Sequence, residues 1–400
     1  MPEPTTAEAA ESQRPTPLGE RGRRAVVFGT AIIVAGVMPG FLTASLAPRI
    51  RTSFDFGDST LGLAVALFYA VCALCSTPAG RLIERAGANT GIRMGAVITA
   101  VSCLAIAAFA DSAAVLIALL LVAGVGNAIG GPTVSALLRR EVAGHRQGVA
   151  FGAQQSGASL GALLAGLALP AIAIPFGWRW AFVGVAGLAA VAATLAPRAR
   201  EEPAPVPAHE QHARGIGSVH ALALAAAFAS AAGVGFISFL VTYSVDKGMS
   251  EGAAGLLLGG VSFAATLSRV GLGAIADRAG QRALMPVPAM LALSMVGYLL
   301  LIVGEPWLIV LSALLAGSVG WAWPGALTLA VVQRAPRAPA WAVGVMMTGL
   351  FAGAVGGPLL VGLLAEHDAF AAAWITCASF ALLAAATIVL VIRAEDRAHG

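Results

Sequence analysis

Charge is what this chain has least of. Asp, Glu, Lys and Arg together make up 11% of its 400 residues, against 58% hydrophobic ones and a mean hydropathy of +0.85. That leaves too little polar surface to face water, so a soluble globule is excluded and most of the chain must face lipid. Lysine is nearly missing, with Lys247 standing beside 23 arginines. Cysteine is scarce too. Cys72, Cys75, Cys103 and Cys377 all lie inside apolar runs, which excludes a disulfide framework or a zinc cluster, and the C-x-x-C of Cys72 and Cys75 sits in hydrophobic helix, where it reads as packing. No nucleophile is grouped with a base and no metal ligands cluster, because the six histidines fall in tails, loops or helix ends. The chain is therefore read as no enzyme, with no cofactor and no metal. A net charge of +4 implies no nucleic-acid partner.

What is present is apolar length. Runs near 25–47, 60–79, 94–110, 114–137, 148–174, 180–196, 219–245, 253–275, 285–304, 307–332, 341–364 and 370–392 each suffice to cross a bilayer. Backbone groups in lipid must be satisfied within each segment, so these are helices. The expectation is an all-α membrane protein of 12 transmembrane helices with both termini on one side.

Arginine placement orients it. Nineteen cationic residues, from Arg14 to Arg397, fall on the side of the termini, and four (Arg49, Arg51, Arg179 and Lys247) on the other. The positive-inside rule then puts both termini in the cytoplasm of a cell with an inner membrane. Residues 1–24 read as a disordered cytoplasmic tail before an uncleaved first helix, and 393–400 as a second tail. The stretch 197–218, with Pro197, Pro203, Pro205 and Pro207, reads as a cytoplasmic linker between six-helix bundles at 25–196 and 219–392. A monomer is expected.

The two halves repeat. A shift of 193 residues lays Gly80, Glu84, Arg85 and Gly87 on Gly273, Asp277, Arg278 and Gly280, and a shift of 192 lays Gly152, Gly157 and Gly161 on Gly344, Gly349 and Gly353. Paired helical halves suit alternating access, in which one half rocks against the other around a midplane site.

The segments G-R-L-I-E-R-A-G (Gly80 to Gly87) and G-A-I-A-D-R-A-G-Q-R (Gly273 to Arg282) resemble the loop 2–3 signature of the major facilitator superfamily and its echo in loop 8–9. The first copy carries Glu84 in place of the commoner Asp and lacks the trailing basic pair. The resemblance implies the superfamily's fold from about residue 25 to 392 and a gating latch on the cytoplasmic side, formed by those eight residues. A carboxylate and an adjacent Arg near helix ends can make the charge-assisted bonds such a latch needs.

A solute site calls for polar or aromatic groups in mid-span, where desolvation makes them expensive. The resemblance implies a cavity lined by the first, fourth, seventh and tenth helices, here offering Thr30, Asn127, Ser238, Thr242, Tyr243, Trp321 and Trp323. Gln154 and Gln155 are the most polar mid-membrane pair. Against each stands a packing role, since amides can bridge helices and lone hydroxyls can bond their own backbone. Trp178 and Trp180 read as interfacial anchors. Pro39-Gly40 is expected to interrupt the first span with a kink.

Arg269 is the one ionisable side chain well inside an apolar run, at a cost of about 2.5–3.5 kcal/mol. Ser268 to Asp277 is similar to the eighth helix of monocarboxylate-porter-like members, where the matching arginine binds the substrate carboxylate. Those members often carry an Asp one turn earlier, where this chain has Ala265. The alternative is that Arg269 snorkels toward Asp277 and braces the latch.

The reading is a secondary transporter moving a small organic solute, a carboxylate or other anion among the candidates, with a coupling ion such as H+ among its expected partners. Two alternatives stay open: efflux of drug-like or neutral hydrophobic compounds, and a non-transporting membrane sensor. The latch carries its own prediction. Asp277→Asn should shift the resting population toward the state open to the cytoplasm and slow transport while leaving insertion intact, as read by cysteine accessibility from the cytoplasmic side. Unchanged accessibility with unchanged flux would remove the latch.

Overall fold

The computed structural model describes residues 20–142, 147–195, 216–279, 284–335 and 339–399. The expected linker lies mostly outside them, as do residues 1–19 of the expected tail. Every element that crosses the molecule is helical. In chain order they are α1 (Glu20–Ser45), α2 (Asp58–Ala86), α3 (Ala88–Phe109), α4 (Ala113–Glu141), α5 (Gln147–Ala168), α6 (Arg179–Leu195), α7 (Ile216–Asp246), α8 (Glu251–Ala279) and α9 (Pro286–Leu300). There follow α10 in two pieces, α10a (Pro306–Ala313) and α10b (Pro324–Arg334), then α11 (Pro339–Ala365) and α12 (Phe370–His399). Among the described residues eleven spans are long and apolar enough to cross a membrane; the twelfth, α6, is shorter, with 17 residues.

Two departures concern α1 and α12. The helix of α1 continues through Pro39 and Gly40 without interruption. Proline removes one ladder donor there, the Thr43 hydroxyl returns to the Pro39 carbonyl at 2.8 Å, and Gly40 serves instead to admit the Phe68 ring of α2. At the other end of the chain α12 runs to His399, where a tail from 393 was expected. A fork between Arg334 of α10b and Glu395, with contacts of 2.6 and 2.7 Å, anchors that extension.

A break does occur where hydropathy gives no hint of one. Between the pieces of α10 the chain widens into a π-helical segment, Leu314–Val319, and leaves the helical ladder at residues 320–323. Pro324 has no N–H for the Gly320 carbonyl, and Gly317 and Gly320 are pressed by Val261 of α8 and Ser294 of α9. At the α2–α3 junction Gly87 takes φ +84°, a conformation that favours glycine, so that one residue turns the chain between two spans.

Helices α1–α6 pack as one half and α7–α12 as the other. Within each, the first helix lies against the fifth: Gly157 and Gly161 of α5 admit Ile33 and Val37 of α1, and Gly349, Gly353 and Gly357 of α11 lie directly on the Ala223, Ala227 and Ala231 carbonyls of α7. Small residues at such spacing let backbones touch, which is how helices associate in lipid. The halves meet along α2–α11, α5–α8 and α1–α7.

This packing predicts a contrast along one helix. A Cβ at position 353 would run into the Ala227 carbonyl, whereas one at position 356 meets nothing within 4 Å. Gly353→Ala should therefore destabilise the detergent-solubilised protein by about 1–3 kcal/mol. Gly356→Ala should be neutral or stabilising through helix propensity, by up to about 1 kcal/mol. Thermal unfolding of the two variants side by side measures the difference.

Candidate functional site

Arg269 sits on α8 at the seam between the halves, and its side chain points inward. Nε donates to the Trp321 carbonyl at 2.8 Å, and Nη1 donates to the Gln155 carbonyl of α5, across the seam, at 2.5 Å. The guanidinium carbon lies 4.8 Å from the centroid of the Trp321 ring. That carbonyl and that indole are positioned by the break in α10, which takes residues 320–323 out of the ladder. Trp321 in turn meets Phe41 of α1 edge-on, with ring centroids 6.0 Å apart and planes at 85°. One cation thus touches an unwound backbone, an aromatic face and the opposite half. Two carbonyls and a ring quadrupole offset its desolvation. Among the described residues no carboxylate pairs with it.

The structure brings Arg269, Gln155 and Trp321 together, with Gln154 buried next to Gln155 on α5. The other site candidates lie elsewhere. Asn127 donates to the Cys72 sulfur at 3.2 Å and rests against Gly36, bridging α4, α2 and α1 within the first half. Trp323 is buried in the core of the second half with Ala322, Leu327 and Met346, and its indole N–H has no partner among the described residues. Tyr243 stands near the far end of α7 against Phe370 and Trp374, and its hydroxyl donates to the Leu301 carbonyl. Ser238 bonds back to Val234. Trp180 is 60% exposed, as an anchor would be, but Trp178 turns inward: its N–H donates to Ser53 at 2.9 Å and Arg179 covers its ring. Packing between Phe54 and Phe182 accounts for that correction.

Of the eight latch residues, Gly80 and Gly87 are described, the latter as the turn already noted. The side chains of Glu84, Arg85, Asp277 and Arg278, together with Gly273 and Gly280, lie outside the described residues.

At the end of the bundle opposite the termini the halves are closed against each other, by residues not singled out from sequence. Arg49, just after α1, bridges to Glu251 at the start of α8 at 2.5 Å. Glu366, just after α11, accepts from the Ser59 backbone N–H at the start of α2 at 2.9 Å. Between these contacts Gly62 of α2 lies on the Pro358 carbonyl and on Gly362 of α11, while Gly166 of α5 and Gly255 of α8 lie on each other's backbone. Gly62 and Gly255 hold equivalent places in the two halves, 193 residues apart, as do Asp58 and Glu251. The one available signal was the presence of Arg49 on the side where cations are few. Phe41, an apolar residue in an apolar run, gave none.

Two equivalent helical halves, sealed at one end and holding a half-buried cation on the seam, have the architecture of a membrane transporter. The sequence pattern of the Major Facilitator Superfamily matches residues 26–285 and 222–400, and the chain belongs to that family. Among curated relatives, the uncharacterized MFS-type transporter Rv1250 of Mycobacterium tuberculosis is 32% identical over 161 residues, which is 39% of this chain and 28% of that protein. Multidrug resistance protein MdtG of Escherichia fergusonii is 29% identical over 160 residues, 39% of each chain. The matched segments thus span well under half the length of those relatives. In fold, the chain is similar to a bacterial homolog of the human lysosomal transporter Spinster, solved inward-facing in occupied and unoccupied forms. The TM-scores are 0.75 and 0.77 at 18% identity, over 93% and 94% of this chain and 97% of those.

The Phe41–Trp321 contact joins the halves beside Arg269, so it should be measurable by itself. A double-mutant cycle of Phe41→Ala and Trp321→Ala, read by thermal unfolding, should give a coupling of about 0.5–1.5 kcal/mol. Simple additivity would show that the two rings are not in contact in solution.

Proposed function

We propose that the protein is a secondary transporter that moves a small organic anion, a carboxylate by preference, through the membrane by alternating access, with Arg269 as its anion-binding residue. The observation that carries this is the guanidinium on the seam, held by two carbonyls and an indole face and paired with no described carboxylate. Carbonyl oxygens satisfy the donors of a guanidinium but leave its charge uncompensated. A carboxylate entering between the halves supplies the missing charge, and its two oxygens match the planar fork. The similarity of Ser268–Asp277 to the eighth helix of monocarboxylate-porter-like members supports the same assignment. Gln154 and Gln155 are the neighbouring amides for the solute's polar groups, and Trp321 with Phe41 its apolar wall. We further propose that both termini face the cytoplasm of a cell with an inner membrane, on the strength of nineteen cationic residues against four.

Flux into proteoliposomes tests the assignment, using a panel of small carboxylates and neutral solutes of matched size. Arg269→Lys keeps the charge and loses the paired donors, so the apparent KM for carboxylates should rise about 10- to 100-fold while neutral solutes change little. Equal loss for charged and neutral solutes would overturn the anion reading and move drug-like or neutral compounds to first place. No flux of any panel member, with folded protein, would favour a non-transporting sensor.

A further inference from the structure

The N-terminus of α2 lacks a cap of its own. Its boundary residue, Gly57, has no side chain to accept from the first free N–H groups, and no side-chain cap is formed there within the half. The missing acceptor comes from the other half of the molecule. Glu366, one residue beyond α11, accepts from the Ser59 N–H at 2.9 Å, and its carboxylate lies so close to Gly57 that a Cβ at that position would overlap both oxygens. A side chain at position 57 would therefore displace the carboxylate from where it now lies. We propose that Glu366 is the N-cap of α2 supplied across the seam, and a positioning residue that holds the bundle shut at the end opposite the termini.

Several charged groups surround this contact. From the first half, Arg51, which is paired with Asp58, draws on the Glu366 carboxylate, and the Asp58 N–H points to it as well. Beside Glu366 in its own connection are His367, whose ring is turned to the Leu363 carbonyl, and Asp368. Across the seam the second latch is Arg49–Glu251. Glu366 is solvent-exposed, and the Ser59 N–H is the main cause that holds its carboxyl below its ordinary value of 4.5, with the Ser59 hydroxyl, the Asp58 N–H and Arg51 assisting and slight desolvation opposing. The closed seam thus binds the proton less readily than the open one. Its stabilisation by Glu366 is whole above 4.5 and is lost as pH falls from there toward the lower value of the closed state. A carboxylate at a helix N-terminus also gains from the helix dipole, a gain that ends on protonation.

The test measures a distance and so does not depend on which solute is carried. Spin labels at Asp111→Cys and Glu305→Cys, both exposed and on opposite halves at that end, report closure in full-length protein in nanodiscs. Cys75→Ser removes the native thiol that is not fully buried, and Glu251→Gln removes the neighbouring latch from the titration. In that background the long-distance population should rise as pH is lowered from 7.5 through the carboxylate range. Glu366→Gln should raise it up to about fivefold at pH 7.5 and abolish the acid step. Gly57→Ala, which expels the carboxylate without altering any charge, should open the seam at pH 7.5 as well. If both variants keep the parent's distance distribution at pH 7.5, or if Glu366→Gln keeps its acid step, the proposal is overturned.

Discussion

In a bilayer, water does not press one helix against another. Lipid tails are as apolar as Leu, so helices hold together through close van der Waals approach and the few polar contacts they can make. The 48 glycines of this chain and its many alanines answer that constraint. Where α11 lies on α7, three glycines spaced four apart bring backbone onto backbone, and α5 lies on α1 through a shorter version of the same surface. Because both first–fifth pairs are built alike, each half is a firm body, and the freedom left to the molecule is concentrated where the halves meet.

Along that meeting line the contacts differ in kind from one level to the next. The end opposite the termini carries two cross-seam carboxylate contacts, at Glu251 and Glu366. The middle carries Arg269, tied to the first half by one carbonyl and to its own by another. The carbonyl at Trp321 is available because Pro324 and two crowded glycines break α10 there, so the local loss of helix and the gain of a partner for the arginine are one event. Irregular backbone at membrane depth is tolerated where protein buries it or where it lines a cavity, and here it faces the seam.

The twelve spans, the two halves and the presence of an arginine within a span were legible in the sequence because each leaves a signal in composition or spacing, whereas the direction of that arginine, toward the seam or toward Asp277, stayed open. Apolar length reports a span, a constant shift reports the repeat, and a lone charge in an apolar run reports a site. Depth and direction leave no such trace. Tyr243 and Trp323 are on the helices expected to line a cavity, yet one stands near a helix end and the other faces its own half's core. The break in α10 escapes hydropathy, because G-S-V-G-W-A-W-P carries no charge and Ser318 as its one polar side chain. Pro39 shows the converse: a residue that weakens helices in water leaves α1 unbroken, since in lipid the backbone has no better partner than its own ladder and the Thr43 hydroxyl.

The glycine contacts at the sealed end have a mechanical consequence. Gly62 on Gly362 and Gly166 on Gly255 form two bearing surfaces across the seam, one at α2–α11 and one at α5–α8, and at neither pair does a side chain protrude. Interlocked ridges and grooves would have to unlock rotamers before they could slide. Bare backbone faces have no rotamers to unlock. Resistance to parting at this end then resides in the ionic clasps beside the bearings, and the rate of parting becomes adjustable by single charges while the fit of the two bodies is left untouched.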